Sequence, residues 1–283
     1  MTTVYLNGRY VPEAEALIPA NDRGFIFGDG IYEVVRAIAG RLFEWEGHAE
    51  RLANGLAGLR IEAGALASSA TLRTVCERLL AANDLTTGEA TIYLQVTRGA
   101  AKRVHAFPPA GTVPTVYAVA SRFVPDRAMR ADGATAITYP DLRWARCDLK
   151  TVNLLGPVLA RQAAAEAGSY EAILHRDGWV TEGAATTVFV VRDGVLHTTP
   201  LSTAVLPSIT RTVVLACAAS LGVPVHEAAT ALADLPSVEE LMVVGTTTDV
   251  QPIVALDGRP IADGRPGPVT RRLQAAYTER LYG

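Results

Sequence analysis

Lysine is scarce in this sequence: Lys102 and Lys150 are the only two among 283 residues, so nearly all other basic side chains are arginines. Any reaction that needs a side-chain amine therefore has two candidates. Cysteine is scarce too. Its three residues show no metal-ligand spacing, and the five histidines lie far apart. We therefore expect neither a disulfide framework nor a metal site.

Long apolar runs and blocks of like charge are also missing. The stretch 212–221, one of the longest apolar runs, is too short to cross a bilayer, and residues 1–10 contain neither a basic segment nor an apolar signal core. The net charge of −3 comes from residues spread along the chain, which leaves no footprint for nucleic acid or anionic lipid. We expect a cytoplasmic protein without nucleic-acid or membrane partners.

The composition is that of a globular protein, with 49% hydrophobic and 19% charged residues. Glycine-containing turn pairs predict hairpins at 7–8, 177–178, 193–194 and 257–258. Apolar spacing predicts helices at 48–59, 72–82, 154–167, 209–221 and 268–281. Strands are predicted at 31–38, 91–97, 116–120, 134–138, 171–174 and 241–244.

This mixture of hairpins and helices predicts an α+β fold in preference to a doubly wound parallel sheet. The composition changes over 121–132, a mixed segment that contains proline and precedes a new strand. We place a domain boundary there, which gives an N-terminal α+β domain over 1–125 and a C-terminal α+β domain over 126–283 that contains Lys150.

Two residues could carry covalent and acid-base chemistry. Lys150 follows a strand-like stretch, 143–149, and precedes a predicted helix, so a rigid element could hold its amine in a cleft where desolvation favours the nucleophilic form. Glu182 follows the turn at 177–178, and a buried carboxylate beside a pyridine nitrogen would keep that nitrogen protonated. The alternatives are a solvated surface lysine and an exposed hairpin glutamate.

Three further segments could bind anions. The loop at 206–211 opens a helix, whose free N–H groups and the Thr210 hydroxyl suit a phosphate, although an ordinary N-cap is the alternative. Residues 245–248 offer hydroxyl donors after a buried strand, or form only a polar loop. Arg103 and His105 follow a strand and could meet a carboxylate, unless they are solvated loop residues.

Taken together, these segments resemble the fold-type IV family of pyridoxal-phosphate enzymes, the class IV aminotransferases, and most closely its D-amino acid enzymes. The resemblance extends nearly from end to end of the chain. The matching segments are 22–24, 27–35, 48–52, 95–99, 146–150, 153–156, 170–176, 181–183 and 209–211. Residues 183–187 and Ser208 depart from the pattern of the D-amino acid enzymes, which carry a serine run and a glycine there.

The resemblance implies two domains, each a sheet or barrel-like sheet with packed helices, and pyridoxal 5′-phosphate bound between them. It implies that Lys150 carries the cofactor as a Schiff base and that Glu182 pairs with the pyridine nitrogen. The other cofactor-binding residues that it implies are Arg51, Leu206, Ile209, Thr210 and Thr246.

The resemblance also implies the substrate site. Tyr32, Arg103 and His105 resemble a trap for the substrate carboxylate in which the Arg-x-His loop reaches over from the neighbouring subunit, so a homodimer with shared active sites is expected. The expected reaction is ping-pong transamination of a D-amino acid, such as D-alanine, with a 2-oxo acid such as 2-oxoglutarate.

Several alternatives share the fold or lack the activity. A branched-chain aminotransferase, an (R)-selective amine transaminase and an aminodeoxychorismate lyase belong to the same fold family, and a binder that has lost the cofactor is the non-catalytic alternative. The loop with Arg103 and His105 favours the D-amino acid enzyme, because an amine substrate has no α-carboxylate to trap.

Overall fold

The computed structural model describes residues 2–283 and contains two compact units. The first unit holds the chain up to Val124 together with Leu149–Asn153, and the second holds Pro125–Asp148 and Leu154–Gly283. The sequence places the boundary after residue 125 and assigns Lys150 to the second domain, whereas the structure groups Lys150 with the first unit. The reason is that backbone hydrogen bonds join Lys150 to Tyr32 and Val152 to Gly30.

The first unit is an antiparallel sheet with helices. Its six strands are β1 (Thr3–Leu6), β2 (Arg9–Pro12), β3 (Gly30–Ile38), β4 (Arg41–Leu42), β5 (Glu89–Thr97) and β6 (Thr115–Arg122). They follow the order β2-β1-β6-β5-β3-β4 in the sheet. The helices are α1 (Arg23–Phe27), α2 (Trp45–Leu59) and α3 (Ser69–Ala82).

Local sequence explains these elements. Asn7 and Gly8 both have positive φ, 47° and 89°, which is the conformation of the tight turn predicted between β1 and β2. Ile92 and Leu94 alternate on β5 and are buried together with the apolar face of α3. The predicted helices at 48–59 and 72–82 are confirmed, and both begin three residues earlier than predicted.

The second unit contains a mixed sheet. Its strands are β7 (Ala134–Pro140), β8 (Glu171–Arg176), β9 (Trp179–Gly183), β10 (Thr187–Arg192), β11 (Val195–Thr198), β12 (Val225–Glu227), β13 (Glu240–Gly245), β14 (Asp249–Leu256) and β15 (Arg259–Pro260). Eight of them follow the order β12-β11-β10-β13-β14-β7-β8-β9, and β15 pairs with β14. The helices are α4 (Arg127–Asp132), α5 (Leu155–Glu166), α6 (Ile209–Ser220) and α7 (Pro268–Tyr282).

Antiparallel and parallel pairs coexist in this sheet. The pairs β14·β7, β7·β8 and β11·β12 are parallel, and the others are antiparallel. The three Asp-Gly turns all have positive φ at both residues and close hairpins, as predicted. The α+β fold class is therefore confirmed in both units.

One local prediction is wrong. The stretch 143–149 before Lys150 is irregular, and the preceding strand β7 ends at Pro140. Apolar residues such as Trp144 and Leu149 imitate a strand, but Leu149 is buried by packing and not by a place in the sheet.

Within residues 2–283, no helix combines the length and the apolar character needed to cross a bilayer.

Candidate active site

The backbone around Lys150 is paired with the beginning of strand β3. The N–H of Tyr32 donates to the carbonyl of Lys150 over 3.0 Å, and the N–H of Val152 donates to the carbonyl of Gly30 over 3.0 Å. Thr151 forms an isolated bridge with Ile31. The other edge of β3 pairs with β5. The segment therefore acts as a very short edge strand, which fixes the direction of the Lys150 side chain.

Two glycines lie against this segment. A Cβ atom at Gly58, on helix α2, would lie 2.6 Å from a methyl carbon of Leu149, a separation that real Cβ atoms do not show. A Cβ at Gly28 would lie 3.4 Å from the side chain of Asn153, and Gly28 also has a φ of 67°. The absence of a side chain at Gly58 therefore lets Leu149 lie against helix α2, whereas Gly28 is required by its positive φ.

The amine of Lys150 lies beside Tyr32. The Lys150 Nζ is 3.3 Å from the Tyr32 hydroxyl and 4.3 Å from the centroid of its ring. Tyr32 in turn stacks on Tyr93 with ring centroids 5.6 Å apart, and Tyr93 donates to Gln95. Lys150 is only partly exposed, whereas Lys102 is exposed on a loop. Of the two lysines, Lys150 is therefore the one held in place by structure.

A buried acid on β3 organises helix α2. Glu33 is 1% exposed and accepts hydrogen bonds from His48 Nδ1 over 2.8 Å and from Arg51 Nε and Nη2 over 2.7 Å each. Burial acts to raise the pKa of Glu33, but the charge of Arg51 and these hydrogen bonds lower it to about 2. Burial lowers the pKa of His48, so its neutral ring donates to Glu33. Glu33 is therefore ionised and orients the Arg51 guanidinium.

The loop that carries Arg103 and His105 is attached by a buried arginine. Arg23 Nη1 donates to the carbonyls of Val104 and Ala106 over 2.7 and 3.3 Å, and Nη2 to that of His105 over 3.5 Å. The Nε of Arg23 donates to the carboxylate of Asp29 over 2.8 Å. The backbone of the loop is therefore fixed although its side chains are exposed.

The same carboxylate is shared with a second arginine. Arg98 donates to both oxygens of Asp29, over 2.8 and 3.0 Å. Burial acts to raise the pKa of Asp29, but the two arginines hold it below its usual value. Arg103 and His105 make their ring contacts with Phe27, whereas Tyr32 contacts Lys150 and Tyr93. The three predicted carboxylate-binding residues thus have different neighbours within one chain.

Glu182 lies on strand β9 and is 4% exposed. Its oxygens accept the N–H of Leu206 over 3.1 and 3.2 Å, and Arg143 Nη1 forms an ion pair with it. Burial acts to raise the pKa of Glu182, while the charge and hydrogen bond of Arg143 oppose that effect. Glu182 is therefore not the exposed hairpin glutamate of the alternative.

Arg143 is itself held by a second acid. Its Nε and Nη2 donate to the two oxygens of Asp141 over 2.9 and 2.8 Å, and Thr181 donates to Asp141 as well. Although burial acts against the charge, Asp141 and Glu182 raise the pKa of Arg143 above its usual value. Arg143 therefore stays charged between two carboxylates, and it orients Glu182.

Helix α6 opens where the sequence predicts an anion site. The Ser208 hydroxyl caps the helix by accepting the N–H of Arg211 over 3.1 Å, which explains the serine at this departure from the family pattern. The N–H groups of Ile209 and Thr210, in the first turn, have no acceptor within the helix. Thr210 is buried, and Ile209 is partly exposed. The cap and the anion site are therefore compatible.

The other predicted residues, Leu206 and Thr246, also belong to the second unit. The N–H of Leu206 is bound to Glu182, and Thr246 lies in the turn that follows strand β13. Residues 183–187 are the other departure from the family pattern, and in this segment the Thr186 hydroxyl donates to Glu171 over 2.9 Å. The hydroxyl of Thr187 is buried without a hydrogen-bond partner within residues 2–283.

Sequence reasoning did not identify Glu33, Arg143 and Arg23 as parts of the site. A signal existed for Glu33, because it stands in the row of alternate β3 residues that also contains Ile31 and Val35, both buried. A charged residue in such a row implies a buried partner. Arg143 and Arg23 show no such local pattern.

Comparisons with known proteins agree with these features. The Amino-transferase class IV family matches residues 30–256. The chain is 37% identical to a D-alanine aminotransferase of Staphylococcus haemolyticus over 99% of this chain and 98% of that protein. It is 40% identical to one of Listeria innocua, over 98% of this chain and 96% of that protein.

Solved structures resemble it in fold. The branched-chain amino acid aminotransferase of Escherichia coli has a TM-score of 0.92 at 27% identity and covers 98% of this chain and 93% of its own. A branched-chain amino acid aminotransferase of T.th., solved with pyridoxamine 5′-phosphate, has a TM-score of 0.86 at 28% identity, over 98% of this chain and 93% of its own.

Proposed function

Because the chain belongs to the class IV amino-transferases, we propose that it transfers the amino group of D-amino acids, such as D-alanine, to a 2-oxo acid such as 2-oxoglutarate. The observation that carries this proposal is the 37% and 40% identity to D-alanine aminotransferases over nearly the whole chain. The branched-chain enzymes with the same fold are only 27% and 28% identical. The substrates are therefore amino acids and keto acids, with the D-configuration preferred.

The residues present fit pyridoxal 5′-phosphate as the cofactor. They include an amine beside a phenol at Lys150, a carboxylate removed from water at Glu182, and a helix N-terminus with Thr210 for a phosphate. A structural neighbour was solved with pyridoxamine 5′-phosphate. When bound, this cofactor supplies an aldehyde and a ring that withdraws electrons from the substrate's α-carbon.

Lys150 would hold the cofactor through its aldehyde, and its free amine would move the substrate's α-proton as a base and then as an acid. Its backbone pairing with β3 restricts the amine to one side of the substrate, which favours one configuration at the α-carbon. The Tyr32 hydroxyl, 3.3 Å away, orients the amine.

Glu182 would accept a hydrogen bond from the protonated ring nitrogen of the cofactor. Arg143 and the Leu206 N–H stabilise the carboxylate form, which is the form that can accept this hydrogen bond. A carboxylate kept in a buried environment interacts more strongly with a positive charge than an exposed one does. Arg143 is thus a positioning residue for Glu182.

The residues that would hold the phosphate are Arg51, Ile209, Thr210 and Thr246, and Leu206 is a further cofactor-binding residue. Arg51 contributes a guanidinium whose Nε and Nη2 are held by the buried Glu33, so little side-chain freedom is lost on binding. Ile209 and Thr210 contribute the N–H groups of the first turn of α6, where the helix dipole favours negative charge.

The substrate carboxylate is bound by Tyr32, Arg103 and His105. The backbone of the Arg103 loop is fixed by Arg23 while its side chains stay exposed, as a loop that serves the active site of a second subunit requires. We therefore include a homodimer with shared active sites in the proposal. We also include a cytoplasmic location, because Cys76, Cys147 and Cys217 are buried free thiols.

The chemistry is tested at the lysine. After reduction with borohydride, peptide mass spectrometry should find the pyridoxyl group on Lys150. Lys150→Ala should lower transaminase activity by at least ~1,000-fold, as expected for loss of a covalent catalyst. Lys102→Ala is the matched control and should leave activity unchanged. A pyridoxyl group on Lys102, or on neither lysine, would refute the proposal.

The substrate is tested by initial rates with 2-oxoglutarate as acceptor. D-alanine should react faster than L-leucine and (R)-1-phenylethylamine, and Arg103→Ala should depress the D-alanine rate while leaving the cofactor's absorbance near 400 nm unchanged. A preference for L-leucine would assign the branched-chain activity of the structural neighbours. Equal losses of absorbance and of rate would give Arg103 a structural role.

A further inference from the structure

The second unit contains a cavity of about 530 Å³ that no residue of the proposed active site lines. It lies among helix α4, the beginning of strand β14 and helix α7. The lining side chains that concern us are Arg127, Arg130, Asp249, Arg271, Gln274 and Tyr277. Sites for small organic ligands have volumes of roughly 300 to 1,000 Å³. The cavity is therefore large enough for a small metabolite.

The charged residues in the wall are mostly positive. Arg127, Arg130 and Arg271 stand against one acid, Asp249, so the lining carries two more positive than negative charges. Arg130 forms an ion pair with Asp249. Arg271 donates to uncharged acceptors, the Gln274 side chain over 3.1 Å and a backbone carbonyl of α4, so these hydrogen bonds leave its positive charge in place.

The wall is held together by hydrogen bonds between its elements. Gln274 Nε2 donates to the carbonyl of Arg130 over 2.8 Å and to that of Val250 over 3.0 Å, which joins α7 to α4 and β14. Tyr277, one turn further along α7, is only 2% exposed. Because these hydrogen bonds join the three elements of the wall, little ordering is needed when a ligand binds.

We propose that this cavity binds a small organic anion with at least two negative charges, carried by phosphate or carboxylate groups. Arginine forks match both groups in two parallel hydrogen bonds, and an excess of positive charge in a concave wall attracts multivalent anions. Arg130 Nη2 also donates to the carbonyl of Thr247 over 3.0 Å. A residue of the cavity wall therefore contacts the turn that carries Thr246.

The proposal is tested by calorimetric titration of the cofactor-loaded enzyme, in which the cofactor's own phosphate site is filled. Pyrophosphate is the phosphate probe and citrate the carboxylate probe. At least one should bind with one site per chain and more weakly as salt is raised. Arg271→Ala and Arg127→Ala should each weaken binding about tenfold or more, the usual effect of losing a charge-assisted hydrogen bond.

Arg272→Ala is the matched control. Arg272 stands next to Arg271 on α7, but its Nη2 donates to the carbonyl of Leu221, and it does not line the cavity. The affinity of the Arg272→Ala variant for the probe should stay within about twofold of that of the unmodified enzyme, because the lost charge lies outside the cavity wall. A probe that binds all variants equally, or the failure of both probes to bind at millimolar concentration, would overturn the proposal.

Hydrogen exchange gives the location independently of substitutions. Binding of the probe should slow amide exchange in 127–132, 247–251 and 270–282. Slower exchange at 149–153 and 206–211 instead would place the anion at the proposed active site and overturn the proposal. Lys150→Ala, saturated with added pyridoxal 5′-phosphate, should leave the titration unchanged, so a failure of the proposed transaminase activity and a failure of the anion site are separate outcomes.

Discussion

Replacing Glu33 by glutamine removes one charge from the interior of the first unit and keeps the shape of the side chain. Glu33 is the shared acceptor of His48 and Arg51, and it is 1% exposed. The variant leaves the guanidinium of Arg51 without its buried counter-charge. We expect a large loss of stability and weaker cofactor binding, since Arg51 is proposed to hold the phosphate.

The magnitude follows from the pKa of Glu33. Its ordinary value of 4.5 falls to about 2 in the folded protein, because Arg51 and His48 outweigh the opposing effect of burial. At about 1.36 kcal/mol for each pKa unit, this difference corresponds to about 3 kcal/mol of folding free energy at neutral pH. Loss of one partner from a buried ion pair typically costs roughly 3 to 5 kcal/mol, which agrees.

The pH dependence has a defined sign. The folded pKa of Glu33 is depressed, so its stabilising effect is complete above about pH 4.5 and is lost as the pH falls towards about 2. Glu33→Gln has no such charge to lose. The difference in unfolding free energy between the two proteins should therefore narrow over this window, measured by urea denaturation monitored by circular dichroism at several pH values.

The matched control is Glu46→Gln on helix α2, the helix that carries His48 and Arg51. The side chain of Glu46 is 80% exposed and pairs with Arg73 on the surface, so its loss should change stability by less than ~0.5 kcal/mol. A cost below about 1 kcal/mol for Glu33→Gln at pH 7 would refute the reasoning. So would a difference that stays constant down to pH 2.

Two further substitutions test the packing around the site. Arg143→Met removes the positive charge beside Glu182 and should raise the pKa of the Glu182 carboxyl further. The free energy of unfolding, measured by urea denaturation, should fall by about 3 kcal/mol or more. An unchanged free energy of unfolding would show that Glu182 does not depend on this partner. Gly99→Ala places a Cβ 1.9 Å from the carbonyl oxygen of Val113 at a φ of 89°, whereas Gly111→Ala meets nothing within 4 Å at a φ of 83°. We expect the melting temperature to fall several degrees more for the first variant than for the second, because only the first adds steric overlap to the backbone strain of roughly 1 to 3 kcal/mol that both share; equal shifts would contradict this.

The candidate site was predicted unevenly from the sequence. Lys150 and Glu182 stand in motifs that resemble a known family, so the sequence alone predicts their roles. Their surroundings did. The sequence shows Glu33, His48 and Arg51 as three ordinary polar residues, and it shows Arg143 as part of a strand-like stretch that turns out to be irregular.

Local patterns in the sequence are sufficient to locate the turns, helices and most strands. Asn7 and Gly8 specify their tight turn, and the spacing of Leu72 and Leu79 specifies α3, because such elements depend on residues within a few positions of each other. The contact of Lys150 with strand β3, more than a hundred residues earlier in the chain, and that of Glu182 with Arg143 depend instead on the three-dimensional fold. Contacts between such distant residues arise when whole sheets and helices pack, and no local spacing encodes them.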